Sequence, residues 1–116
     1  MAGAGPSITQ ELANGVVRWY TERFGRGPTH AKAYVNEDFA LVVMAGVQSQ
    51  AEQTLVEQGD AQAVFNLRRA IKEAHKEALS ALAAELTGRS VRMMLSDHKP
   101  HEDTSVLVFL FEPRNA

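Results

Sequence analysis

The chain contains no cysteine. Disulfides, thiol catalysis and Cys-based zinc sites are therefore excluded, and the composition suits the cytoplasm, where this reading places the protein. Aromatic residues are scarce at 7%. Trp19, Tyr20 and Tyr34 are not interleaved with a basic strip, so no stacking platform for single-stranded nucleic acid is expected. Neither sign of charge dominates: 12 Lys and Arg stand against 14 Asp and Glu, a net of −2. A global basic excess for nucleic acid and an acidic solvating tail are both missing. Long hydrophobic runs are missing too. The longest, Phe39 to Gly46, is far short of the roughly 20 residues a spanning helix needs. No direct membrane insertion is expected, and contact with the inner membrane would be peripheral, through a partner. Met1 to Pro6 lacks a basic segment followed by an apolar one, so it reads as a disordered terminus and not a signal peptide.

Familiar catalytic motifs are also missing. There is no Gly-x-Ser-x-Gly elbow and no carboxylate pair placed as acid and base. Gly25-Arg26-Gly27 is not a P-loop, because it lacks the Gly-Lys-Ser/Thr ending and follows a helix. No catalytic residue, cofactor or metal is therefore assigned, and the expectation is that the protein is not an enzyme.

What is present is a strong periodic pattern in 116 residues that are 45% apolar. That length fits one domain, taken as residues 7–116. Ser7 and Gln10 form a capping-box pattern before a helix from Ile8 to Phe24. Ala31 to Val35 and Phe39 to Ala45 read as strands, joined by a turn at Asn36-Glu37-Asp38. Ser49 and Glu52 give a second capping box and a helix from about Gln50 to Gln58. A long helix follows from Ala61 to Thr87, about 40 Å at 1.5 Å per residue. Its expected buried stripe is Val64, Leu67, Ile71, Ala74, Ala78, Leu82 and Leu86. Arg89 to Leu95 and Thr104 to Glu112 read as strands around a polar loop from Ser96 to Asp103. The order α-β-β-α-α-β-β predicts an α+β two-layer sandwich, with a four-stranded antiparallel sheet packed by helices.

Two strands break the usual alternation. Phe39, Leu41 and Val43 oppose Val42 and Met44; Leu107, Phe109 and Phe111 oppose Val106, Val108 and Leu110. Both faces of these strands want cover. Either helix one and the long helix take one face each, or the second face is buried against another copy or another protein. The pattern favours a homo-oligomer, most simply a dimer.

The candidate site is the corner Gly25-Arg26-Gly27-Pro28. Gly25 is placed to end the first helix with φ > 0. Pro28 cannot resume a helix interior and biases Gly27 toward extended backbone. Arg26 is thus held on a tight turn where glycine-flanked backbone can form an anion-binding nest. His30 could join such a site. Arg68, beside Leu67 and Ile71 at the stripe's edge, either forks onto a carboxylate or carbonyls or faces the corner. His98, His101, Asp97, Glu102 and Asp103 resemble metal ligands, but His-x2-His in a hairpin loop is a weak spacing and a solvated loop is expected. His75 reads as a boundary residue.

Several segments together resemble one bacterial family, called MpsC or YbcI-like. They are Phe24 to Pro28, Phe39 to Val47, Ala51 to Leu55 with Gly59, Val64 to Arg68, Leu86 to Val91, the Ser96-Asp97 loop and Val106 to Phe109. The likeness covers nearly the whole chain after about Ile8. The chain departs at Gln48-Ser49-Gln50, where a Leu-Thr-Pro-like turn is expected. The resemblance implies an accessory or regulatory protein of a sodium-translocating, membrane-potential-generating or inorganic-carbon uptake system. Integral-membrane transporter subunits would be its partners. No catalytic residues carry over. The alternative is a module that senses an anion or nucleotide at Arg26, with His30 and Arg68.

Overall fold

The computed structural model describes residues 7–114. The disordered segment expected over residues 1–6 lies outside the described residues. In chain order the elements are α1 (Ile8–Phe24), β1 (His30–Val35), β2 (Phe39–Ala45), α2 (Gln50–Glu57), α3 (Ala61–Thr87), β3 (Val91–Lys99) and β4 (Thr104–Phe111). The strands form one antiparallel sheet in the order β1-β2-β4-β3. This is the predicted α+β architecture.

Local chemistry sets the boundaries. Ser7 Oγ accepts the Gln10 N–H at 3.2 Å and opens α1. Ser49 and Glu52 complete a reciprocal capping box at α2: Glu52 N–H donates to Ser49 Oγ, and Ser49 N–H to Glu52 Oε1. Gly25 ends α1 at φ 76°, a left-handed conformation that costs a Cβ-bearing residue about 1–2 kcal/mol. Asn36 Oδ1 accepts the N–H groups of Asp38 and Phe39, which closes the β1–β2 turn.

The core fills one face of the sheet. Leu12, Val16, Trp19 and Tyr20 of α1 and Leu79 and Ala83 of α3 pack on Ala33, Ala40, Val42, Met44, Leu107, Phe109 and Phe111. Both helices thus lie on the same face, which excludes the arrangement with one helix on each face. Gly15 lets them approach closely, since a Cβ there would lie 2.5 Å from Leu86 Cδ1.

The opposite face carries no helix. Its residues fall in rows set by the register. Tyr34, Leu41, Val108 and Leu95 make the middle row, and Phe39, Leu110 and Met93 the next. Tyr34, Met93 and Leu95 are about half exposed.

Two expectations are corrected. β3 spans Val91–Lys99, so Ser96 to Lys99 is strand, and only the turn from Pro100 to Asp103 separates it from β4. Pairing of Ser96 to Lys99 with β4 residues Leu107 to Thr104 extends the ladder through polar residues. The buried line of α3 is Val64, Arg68, Lys72, Leu79 and Ala83. It is rotated from the predicted stripe because two cations on it have internal acceptors. Leu67 is exposed, as are Ala74 and Ala78.

Candidate functional site: a clamped loop beside an apolar cleft

The corner at Gly25 turns the chain so that the Arg26 side chain runs back across the start of the β2–α2 connection. Its Nη1 donates to the Gln48 carbonyl at 2.6 Å and its Nη2 to the Gly46 carbonyl at 3.2 Å. Gly27 sits against Val17 and Thr21 of α1. His30 is exposed at the start of β1, paired in register with Ala45.

Arg68 reaches the same connection from α3. Its Nε donates to Glu52 Oε2 at 2.7 Å, and its Nη2 donates to Glu52 Oε1 at 2.7 Å and to the Val47 carbonyl at 2.8 Å. Arg68 is 8% exposed and Glu52 6%. This bidentate fork is the geometry arginine is suited to. Burial alone would raise the Glu52 carboxyl; hydrogen bonds from Arg68 and Ser49 outweigh it and the net shift is downward. From the third side, the Asp103 carboxylate accepts the N–H groups of Val47 and Gln48 and the Gln53 side-chain amide. Residues 46–48 are therefore gripped by Arg26, Arg68 and Asp103.

A second buried network lies one helical turn along α3. Lys72 Nζ donates to Ser105 Oγ at 3.0 Å and to the Asp97 carbonyl at 3.4 Å. Ser105 Oγ lies 2.5 Å from His98 Nδ1, and His98 Nε2 lies 2.7 Å from Gln48 Oε1. Burial, then the charges of Lys72 and Arg68, hold the His98 imidazole down to about 4 against Asp103 and Glu52. It is neutral at pH 7. Ser105 accepts from the ammonium and donates its own proton to Nδ1. The Nε2 proton then points at Gln48 Oε1. Every hydrogen in the chain runs from Lys72 toward Gln48. Lys72 itself is held down to about 8, by burial first and then by Arg68, with Asp97 opposing.

Among the predicted site residues, the structure brings Arg26 and Arg68 onto one loop and leaves His30 and His101 apart. His98 is corrected from solvated loop to buried strand, because Met94, Ser96 and His98 share the inward register with Phe109, Leu107 and Ser105. The sequence reading missed Lys72, Ser105 and Gln48. The available signal was spacing: Val64, Arg68 and Lys72 stand four apart on one helix face.

Between the corner, α2 and α3 opens a cleft of about 350 Å³. Tyr20, Phe24, Pro28, Leu55, Leu67 and Ile71 give it an apolar wall, and Arg26, Glu52 and Arg68 also border it. Phe24, Leu55 and Leu67 are each more than a third exposed. The Tyr20 hydroxyl is buried without a hydrogen-bond partner, and burial pushes it up to about 12 against the charge of Arg68. The cleft offers shape and hydrophobic contact, while the guanidinium groups on its border are bonded to the protein itself.

The family model described as "Na+-translocating membrane potential-generating system (MpsC)" matches residues 6–113. No curated protein and no solved structure matches the chain.

Proposed function

The chain belongs to the MpsC family, and from that premise we propose that it is a non-catalytic accessory or regulatory protein. It acts by contact with the membrane subunits of a cation-translocating or inorganic-carbon uptake system. Membership ties the chain to a Na+-translocating, membrane-potential-generating system. No helix among the described residues is long and apolar enough to cross a membrane. The link would therefore run through a partner.

The observation that carries this reading is the division of labour between polar and apolar groups. Arg26, Arg68, Lys72 and His98 all bond to acceptors of the chain itself. Such networks hold a shape more readily than they turn over a substrate. Around them, apolar side chains remain at the surface: Phe24, Leu55 and Leu67 on the cleft rim, and the uncovered sheet face. Exposed apolar surface beside a rigid frame is what a binding protein presents. The anion-sensing reading draws less support, because Arg26 already donates to two carbonyls and Arg68 already faces Glu52.

The test is an affinity capture of tagged protein from crosslinked native cells, membranes included, with partners identified by mass spectrometry. Recovery of an integral-membrane subunit of an ion or inorganic-carbon transporter is expected. Leu67→Asp, on the cleft rim, should reduce that recovery while leaving the protein folded. Recovery of untagged copies of the same chain alone would overturn the reading.

A further inference from the structure

The uncovered sheet face has a built-in symmetry. The register places Lys32 opposite Val43, Val43 opposite Val106, and Val106 opposite Asp97. One row across the sheet thus runs cation, apolar, apolar, anion, with the charges on the two edge strands. The next row, Tyr34-Leu41-Val108-Leu95, is wholly apolar. Lys32 is on this face: its Nζ lies 5.5 Å over the Tyr34 ring. Asp97 is half exposed; its Oδ1 accepts the His98 N–H at 2.8 Å, and its one cation partner is exposed Lys99 at 3.5 Å, an interaction of little worth in water.

Two sheets that stack face to face keep their strands roughly aligned and lie about 10 Å apart. For two identical copies this leaves two choices of symmetry axis, along the strands or across them. An axis across the strands lays each edge strand on itself. Lys32 then faces only the other copy's β1, and Asp97 only its β3 toward Leu95 and Met93, so neither charge meets its opposite. An axis along the strands, between β2 and β4, lays β1 on the other copy's β3 within the same row. Each Lys32 then meets an Asp97, twice per dimer, and the middle row meets itself with Tyr34 over Leu95. The placement of charge selects the second arrangement.

We infer that the uncovered face is an isologous self-interface, with its two-fold axis along the strands and reciprocal Lys32–Asp97 contacts at its flanks. The occupant is a second copy of this chain. The cleft by the corner remains outside this interface, so the inference stands apart from the membrane-system reading. It can fail while that reading holds.

Sedimentation velocity on purified protein over a range of micromolar concentrations tests it. The wild-type chain is expected to be a dimer. Lys32→Asp sets an aspartate against Asp97 and should raise the dimer Kd about tenfold or more. Adding Asp97→Lys should bring the Kd back near the wild-type value. Leu95→Glu, in the middle row, should leave the protein folded and monomeric. If the doubly reversed chain fails to fold, Lys32→Asp with Asp97→Asn must recover most of the lost affinity, since the like-charge contact is gone. A monomeric wild type, a dimer indifferent to Lys32→Asp and Leu95→Glu, or a reversal that restores nothing would each overturn the inference.

Discussion

Arg68 and Lys72 stand one turn apart on the same buried line of α3, 8% and 3% exposed. Each carries its cation into the protein, and the two are held differently. Arg68 meets a carboxylate through two hydrogen bonds. Lys72 meets a hydroxyl and a carbonyl. A planar fork with a counterion has its charge matched inside the protein. A point charge without one keeps it only while protons are plentiful, and its amine is held down to about 8. Burial of a cation on one helix face is thus tolerated in two ways, by pairing or by weakened proton affinity.

The largest test of this contrast removes the pairing. Glu52→Gln leaves Arg68 buried without a counterion and should cost about 3–5 kcal/mol. Glutamine can still serve the third position of the capping box, so the loss reports the charge and not the cap. Urea unfolding at pH 7 measures it. A loss below about 1 kcal/mol would mean the pair resembles an exposed one and would erase the distinction.

Lys72 supplies the next test. Its unfolded value is 10.5 and its folded value about 8. Between them the unfolded chain binds more protons, so stability rises with pH through that window. The full rise is about 3 kcal/mol. Tyr20 opposes it above pH 10, because the fold keeps its hydroxyl protonated to about 12. Wild-type stability should therefore climb from pH 8 to about 10 and then level. Lys72→Met should abolish the climb and raise stability at pH 7 by about 1–3 kcal/mol, as replacing unpaired buried charge often does. Urea midpoints across that pH range decide it, and a climb that survives Lys72→Met would assign it to another group.

His98 extends the contrast to acid. Its imidazole falls from 6.5 to about 4 on folding. The unfolded chain again binds more protons between the two, so stability drops as pH falls through this window, by about 2–3 kcal/mol at pH 4. Glu52 adds to the acid loss, since its carboxyl is stabilised as the anion. His98→Gln should flatten the part between pH 6.5 and 5, where carboxylates have scarcely begun to titrate. An unchanged profile there would remove His98 from the account.

The sequence carried the frame of this molecule clearly and its interior polar chain hardly at all. Gly25, Ser49 with Glu52, and the doubled apolar strands act through neighbours in sequence, so their roles were visible there. The Arg68–Glu52 fork joins residues 16 apart through a turn of α2, and sequence left its partner open between a carboxylate, carbonyls and the corner. Lys72, Ser105, His98 and Gln48 meet only when β3 and β4 are in register under α3. Each is polar, and each alone reads as surface. Polarity misdirected the α3 stripe for the same reason: a helix face holding two cations looks solvated until their acceptors are in place. Gln48 supplies the amide oxygen that ends the chain from Lys72.

Arg26 offers the smallest and most discriminating test, because it grips the same loop as Arg68 from an exposed position with neutral partners only. Two hydrogen bonds to carbonyls, one part-buried and one exposed, should be worth about 1–2 kcal/mol. Arg26→Ala should therefore lower Tm by several degrees, roughly 4–8 °C, and by the same amount from pH 5 to pH 9. If the clamp is its whole role, phosphate and nucleotides will raise the Tm of wild type and Arg26→Ala equally. A rise confined to the protein that keeps Arg26 would mean that the guanidinium leaves its carbonyls for an anion, and the corner would then be a sensor as well as a strut. The three cations would then form a series: one fixed by a carboxylate, one set by protons, and one open to exchange.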